Sequence, residues 1–160
     1  MADLMTQNKK VKKTKPELTV IGWIESVGLP QLDLPGVKAK IDTGARTSAL
    51  NAQNIEPFER DGQAWVRFQV QVAAGDPSLW VETPLYDQRH IKNTSGIPEE
   101  RYVIRTTLKI GEQQWPISVS LTDRSNMRFP MIVGRSALKH RNIAVHTRRA
   151  YLTTDKTRNA

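Results

Sequence analysis

The stretch best suited to chemistry is Ile41-Asp42-Thr43-Gly44-Ala45. An apolar run delivers a carboxylate, a small hydroxyl residue and a glycine in succession. Gly44 permits a tight turn beside the carboxylate, and the Thr43 hydroxyl can hydrogen-bond locally to fix that turn. Asp42 is then held rigidly at a strand end, where a carboxylate can exchange a proton with a substrate or a water. Ordinary turns also use Asp-Thr-Gly, so the triplet needs a second element. One follows about 90 residues later, in Met131-Ile-Val133-Gly134-Arg135-Ser-Ala-Leu138. Two apolar residues and a glycine, then a short helix-like segment, would complete the loop that buries an active aspartate.

Basic residues accompany both elements. Lys40 and Arg46 flank the turn, and Arg124, Arg128 and Arg135 cluster around the second motif. Arg135 is expected to brace the loop carrying Asp42. Arg46, Arg124 and Arg128 can face a cleft, where guanidinium forks match carboxylates bidentately. Other chemistries are poorly supplied. The chain has no cysteine and three scattered histidines, His90, His140 and His146. With no His-Glu-x-x-His, the expectation is no metal site. No Gly-x-x-x-x-Gly-Lys-Ser/Thr occurs either, so no cofactor is expected and any ATP dependence would come from a partner.

The elements that must position these residues read as short strands. Leu18-Thr-Val-Ile-Gly-Trp-Ile24 and Gly36-Val-Lys-Ala-Lys-Ile41 are strand candidates. Further candidates surround Trp65 to Val72, Leu79 to Leu85, Tyr102 to Ile110 and Trp115 to Leu121. Met131-Ile-Val133, Ile143-Ala-Val145 and Tyr151-Leu152 complete the set. Short strands separated by turn signals predict an all-β barrel or sandwich. Only residues 45–52 and 136–140 suggest helix. The polar stretch 87–100, with Gly96 and Pro98, reads as a mobile loop or hairpin tip. The four tryptophans, Trp23, Trp65, Trp80 and Trp115, are expected as core or dimer-interface anchors, Phe129-Pro130 as a packing turn, and His90 as an exposed polar residue.

The 160 residues fit a single domain with tails. Apolar residues make up 38%, enough for a modest core. No run approaches the ~18 apolar residues of a membrane span. The net charge is +8. Residues 1–16 hold five lysines against one aspartate, a net +4, so half the excess lies in one short stretch. That stretch reads either as a solubilising disordered tail or as a polyanion contact. The expected division is a basic tail at 1–16, a domain at 17–153 and a C-terminal tail at 154–160. No apolar stretch follows the early lysines, so the sequence predicts no secretory signal and a cytoplasmic location.

Taken together, the two motifs resemble retropepsin-like aspartic peptidases. A glycine-bearing hairpin (Ile91-Lys-Asn-Thr-Ser-Gly96), the long strand Tyr102 to Ile110 and the turn at Gly111 lie between them in the matching order. More narrowly, the chain is similar to a bacterial group catalogued as ATP-dependent zinc proteases and associated with ATP-grasp glutamate ligases that act on a ribosomal protein. Three stretches carry that likeness. They are Lys40-Ile-Asp-Thr-Gly-Ala-Arg-Thr-Ser-Ala-Leu50, Arg101-Tyr-Val-Ile104, and Asp123-Arg124 through Arg128-Phe-Pro-Met-Ile-Val-Gly-Arg135.

The resemblance implies a closed barrel with one short helix, and Asp42, Thr43 and Gly44 as the catalytic turn. Ala45, Val133, Gly134 and Arg135 would support it. Arg46, Gly96, Arg124 and Arg128 would meet substrate, with the hairpin as a flap. Aspartic peptidases need two carboxylates sharing one proton. No second Asp-Thr/Ser-Gly occurs here, since Asp76, Asp87 and Asp123 precede Pro77, Gln88 and Arg124. The pair must then come from Asp42 of two copies, an obligatory homodimer. The implied substrates are acidic, glutamate-rich peptides or protein tails, with a glutamate ligase or ribosomal protein as associated partner. Nucleic acid and membrane are not expected partners. Two other readings compete: an inactive barrel that binds a ligase, ribosome or other polyanion, and a zinc metalloprotease.

Overall fold

The computed structural model describes residues 17–92, 96–124 and 127–153. The two expected tails and residues 93–95 of the hairpin tip lie outside the described residues. The chain is nearly all-β, 63% strand and 5% helical, and its core is a closed six-stranded barrel.

The first expected strand is in fact two, because the chain changes sheets at Trp23. β1 (Thr19–Gly22) pairs in parallel with β11 (Ile143–His146) in a separate two-stranded sheet. β2 (Ile24–Leu29) turns into the barrel and runs antiparallel to β3 (Leu34–Asp42). Gly22 is required at the switch. A Cβ there would lie 2.8 Å from both Ala150 Cα and Arg149 O of the C-terminal segment.

The barrel continues around a ring. β3 pairs in parallel with β10 (Met131–Gly134), and β10 runs antiparallel to β4 (Ser48–Asn51). β4 pairs in parallel with β9 (Gln113–Thr122), and β9 antiparallel with β8 (Pro98–Ile110). β8 reaches back to β2, where Lys109 faces Gly28, and closes the ring. β7 (Leu79–Lys92), β6 (Gln63–Val70) and β5 (Gln53–Arg60) extend the sheet beyond β8. Strand alternation fills the interior. Val37, Ala39 and Ile41 of β3 point inward, as do Trp115, Ile117, Val119 and Leu121 of β9. Phe68, Leu29, Leu50, Ile104, Leu108 and Met131 are among the fully buried side chains.

Several expectations are corrected. Residues 45–52 are not helical, because Ser48–Asn51 insert as β4 between β10 and β9. The second helical candidate shortens to a 3-10 turn at Arg135–Ala137. Tyr151-Leu152 is no strand; Tyr151 adopts φ +57° and its N–H donates to the Ile24 carbonyl at 2.8 Å. The polar stretch 87–100 is largely strand, since β7 and β8 pair as far as Lys92 and Pro98. Trp80 is not in the core, which leaves only the interface half of its expectation: it is 47% exposed, with the Arg67 guanidinium stacked 3.8 Å from its ring centre.

Glu25 had no expected role, yet it is fully buried on β2. Its carboxylate accepts N–H bonds from Gly22 at 2.6 Å, Leu152 at 2.9 Å and Thr153 at 3.3 Å, and the Thr153 hydroxyl at 2.7 Å. One carboxyl group thereby ties the C-terminal segment to the β1–β2 switch.

Candidate active site

β3 sets the geometry. Ile41 faces the core, so Asp42 and Lys40 share the opposite face, two residues or about 7 Å apart. Asp42 ends the strand and is half-buried. The Ala45 N–H donates to the Asp42 carbonyl at 3.1 Å, and the Gly44 N–H donates to Asp42 Oδ1 at 3.0 Å. The carboxylate therefore closes its own turn. Gly44 is needed for proximity, since a Cβ there would sit 3.2 Å from Asp42 Oδ1.

The second motif clasps this turn from behind. Val133 and Gly134 pair with Ile41 and Asp42 in register. The Gly134 N–H donates to Ser48 Oγ at 3.0 Å. The Thr47 backbone passes so close that a Cβ on Gly134 would lie 2.6 Å from Thr47 C and O. The next two N–H groups, of Arg135 and Ser136, donate to the carbonyls of Ala45 and Arg46 at 2.9 and 3.1 Å. Arg135 Nη1 donates to the carbonyls of Thr43 and Gly44 at 3.3 and 3.4 Å. Ser48 was not anticipated; its signal was a small hydroxyl residue just past the turn.

A cavity of about 390 Å³ opens on the face of β3 that carries Lys40 and Asp42. Lys40, Arg124, Arg128, Trp23, Phe129 and Ile132 are among its walls. Among the described residues no acidic one lines it. Phe129 packs edge-on to Trp23 at 6.4 Å and lies under Lys38 Nζ at 5.5 Å. The Arg124 N–H donates to Asn51 Oδ1 at 3.2 Å, anchoring the loop that follows β9. Two of the four expected substrate residues, Arg124 and Arg128, thus meet in one recess. Arg46 is exposed on the loop after the Asp42 turn and lines no part of this recess. Gly96 lies at the hairpin tip with φ +76°. Trp23 and Phe129 turn out to be cavity walls, a placement that i, i+2 counting back from Asp42 would have suggested only for Lys40.

The donor set does not fit a zinc ion. Among the described residues no three His, Asp or Glu side chains converge. His146 Nδ1 already accepts the N–H groups of Arg148 and Arg149 at 3.0 and 3.1 Å. His90 is exposed on β7, 4.0 Å from Glu100.

A closed barrel whose strand-end Asp-Thr-Gly turn is locked by a distal Gly-Arg loop defines a retropepsin-like protein. The chain belongs to the RimB-like family, described as retropepsin-like aspartic endopeptidase RimB, which it matches over residues 20–156. A solved Legionella pneumophila protein of unknown function superimposes with a TM-score of 0.70 at 28% identity, covering 86% of this chain and 99% of that one. Curated relatives carry a different name. A probable alpha-L-glutamate ligase of Parasynechococcus marenigrum is 46% identical over 121 residues, 74% of this chain and 26% of that protein. One from Desulfotalea psychrophila is 43% identical over 126 residues, 78% of this chain and 27% of that protein. The chain thus spans about a quarter of the length of these relatives. Among the described residues no helix is long and apolar enough to cross a membrane.

Proposed function

We propose that this chain is an aspartic-type peptidase acting on acidic, glutamate-rich peptides or protein tails, with Asp42 contributed by two copies. The observation that carries the reading is a clasped strand-end carboxylate beside a recess lined by three cations and, among the described residues, no acid. Two Asp42 carboxyls brought within a few ångströms cannot both ionise, so one keeps a proton. The ionised member takes a proton from water as the water attacks. The protonated member hydrogen-bonds the scissile carbonyl and stabilises its developing charge. Lys40, Arg124 and Arg128 supply the acidic preference, since a glutamate side chain entering the recess meets ammonium and guanidinium donors. The ligase names of the relatives support the same substrate class, because a hydrolase of glutamate chains consumes what a glutamate ligase makes.

The test is hydrolysis of a glutamate-rich peptide by the full chain. Asp42→Asn should abolish cleavage, and Arg124→Gln with Arg128→Gln should raise KM more than it lowers kcat. Cleavage that persists in Asp42→Asn, or that shows no preference for glutamate over neutral peptides, overturns the reading. The match to a segment of ligase-named proteins favours one alternative, a non-catalytic module that only binds acidic chains. Binding by the wild type without any cleavage would establish it.

A further inference from the structure

A second recess, of about 380 Å³, shares no lining residue with the first. It lies between β8, β9 and the segment after β10. Arg105, Ser118, Ser136, His140 and Arg141 line it, and among the described residues no acidic one does. The cations are pre-positioned. Arg105 faces Ser118 across the strands and donates to its Oγ at 3.0 Å, with the Tyr86 ring centre 5.9 Å from the guanidinium. Arg141 lies 4.7 Å from the ring centre of Trp115, and that indole is fixed by its own N–H bond to the Ala137 carbonyl at 2.8 Å. Arg141 Nε is buried with no hydrogen-bond partner. Neither arginine has an ion-pair partner among the described residues.

Two guanidiniums gathered in one recess repel each other unless an anion joins them. A buried donor without an acceptor likewise marks a place for a missing oxygen. We propose that this recess binds a phosphoryl group. A single carboxylate carries one charge and two oxygens, which one arginine fork satisfies. Two arginines, a histidine and two hydroxyls instead match the higher charge and three free oxygens of a phosphate. The space beside them is larger than phosphate alone, so the group is carried on a larger body. Three free oxygens and a charge above one belong to a phosphate monoester and not to a phosphodiester, so that body is a small molecule ending in a phosphate monoester.

The experiment titrates the full-length protein with inorganic phosphate, AMP and a short single-stranded RNA by calorimetry at low salt. Saturable binding is expected, weakened at least about tenfold in Arg105→Gln and in Arg141→Gln, the loss of one charged hydrogen-bonding group. Arg60→Gln, on β5 and paired with Glu82, should leave it unchanged. AMP is expected to bind more tightly than the RNA, and RNA binding far tighter than AMP overturns the monoester assignment. Arg105 is exposed, so its variant should fold and melt like the wild type even if the Arg141 variant does not. No saturable binding of any phosphate probe overturns the assignment. So does binding indifferent to Arg105→Gln, or displacement of phosphate by a lower concentration of a short glutamate peptide.

Discussion

Asp42 holds its turn together and is also the proposed acid–base group, and these two jobs separate by substitution. Asn keeps an oxygen for the Gly44 N–H, so Asp42→Asn should change unfolding free energy by less than about 1 kcal/mol while cleavage disappears. Urea unfolding beside the peptide assay checks both. Gly134 has only a structural job. In Gly134→Ala the new methyl collides with the Thr47 backbone, which cannot step aside without breaking the Ser48 and Ala45 bonds. A loss of about 1–3 kcal/mol is expected, with activity falling because the Asp42 turn loosens. Glu25 is the other residue on which much depends. Glu25→Ala leaves the buried Gly22 N–H and the partly buried Leu152 and Thr153 N–H groups without their acceptor, and should destabilise by about 3 kcal/mol. Hydrogen exchange at Leu152 and Thr153 should rise first.

Among the elements, the β7–β8 hairpin shows how solvent exposure hides a strand from its sequence. Apolar alternation marks a strand only where one face is buried. The arms of this hairpin carry Asp87, Arg89, Glu99, Glu100 and Arg101, and read only as a loop or hairpin tip. β5 escaped notice for the same reason, being a polar edge strand paired only with β6. Residues 45–52 misled in the opposite direction: Ala45, Ala49 and Leu50 favour helix, but the slot between β10 and β9 demands an extended chain, and tertiary pairing wins. The barrel strands from Tyr102 to Val133 were legible because each buries one face. The Asp42 turn and its clasp were legible because both depend on glycines beside an aspartate and an arginine. The recess beside Lys40 was not, because Trp23 and Phe129 come together only after β2, β3 and the loop before β10 are in place.

The hairpin also gives pH dependence. Burial, and then its hydrogen bond to Glu100 at 3.0 Å, raise the Tyr102 phenol above its usual 10.0. The folded state therefore favours the protonated phenol. Its contribution is whole below pH 10 and is lost as pH climbs from there toward the raised folded value. Tyr102→Phe should accordingly lose less stability than the wild type between about pH 9 and 11 in urea titrations. Asp87 moves the other way. Its hydrogen bond from Arg89, and then the Gln88 N–H, hold its carboxyl below 3.8. Its contribution to the β7 arm is present above that value and disappears only in stronger acid.

At the scale of the molecule, one chain holds half of the proposed chemistry. A single Asp-Thr-Gly turn and an adjacent cationic recess supply the proposed binding surface but only half of the proposed acid–base pair. The missing carboxyl is assigned to a second copy, and that assignment is testable without knowing the natural substrate. Wild-type protein and Asp42→Asn are unfolded together, refolded and assayed on a glutamate-rich peptide across mixing ratios. If each site needs two Asp42 carboxyls, activity follows the square of the wild-type fraction, and an equal mixture retains about a quarter of full activity. Activity strictly proportional to the wild-type fraction, with about half remaining in the equal mixture, would show that each chain works alone and contradict the shared pair.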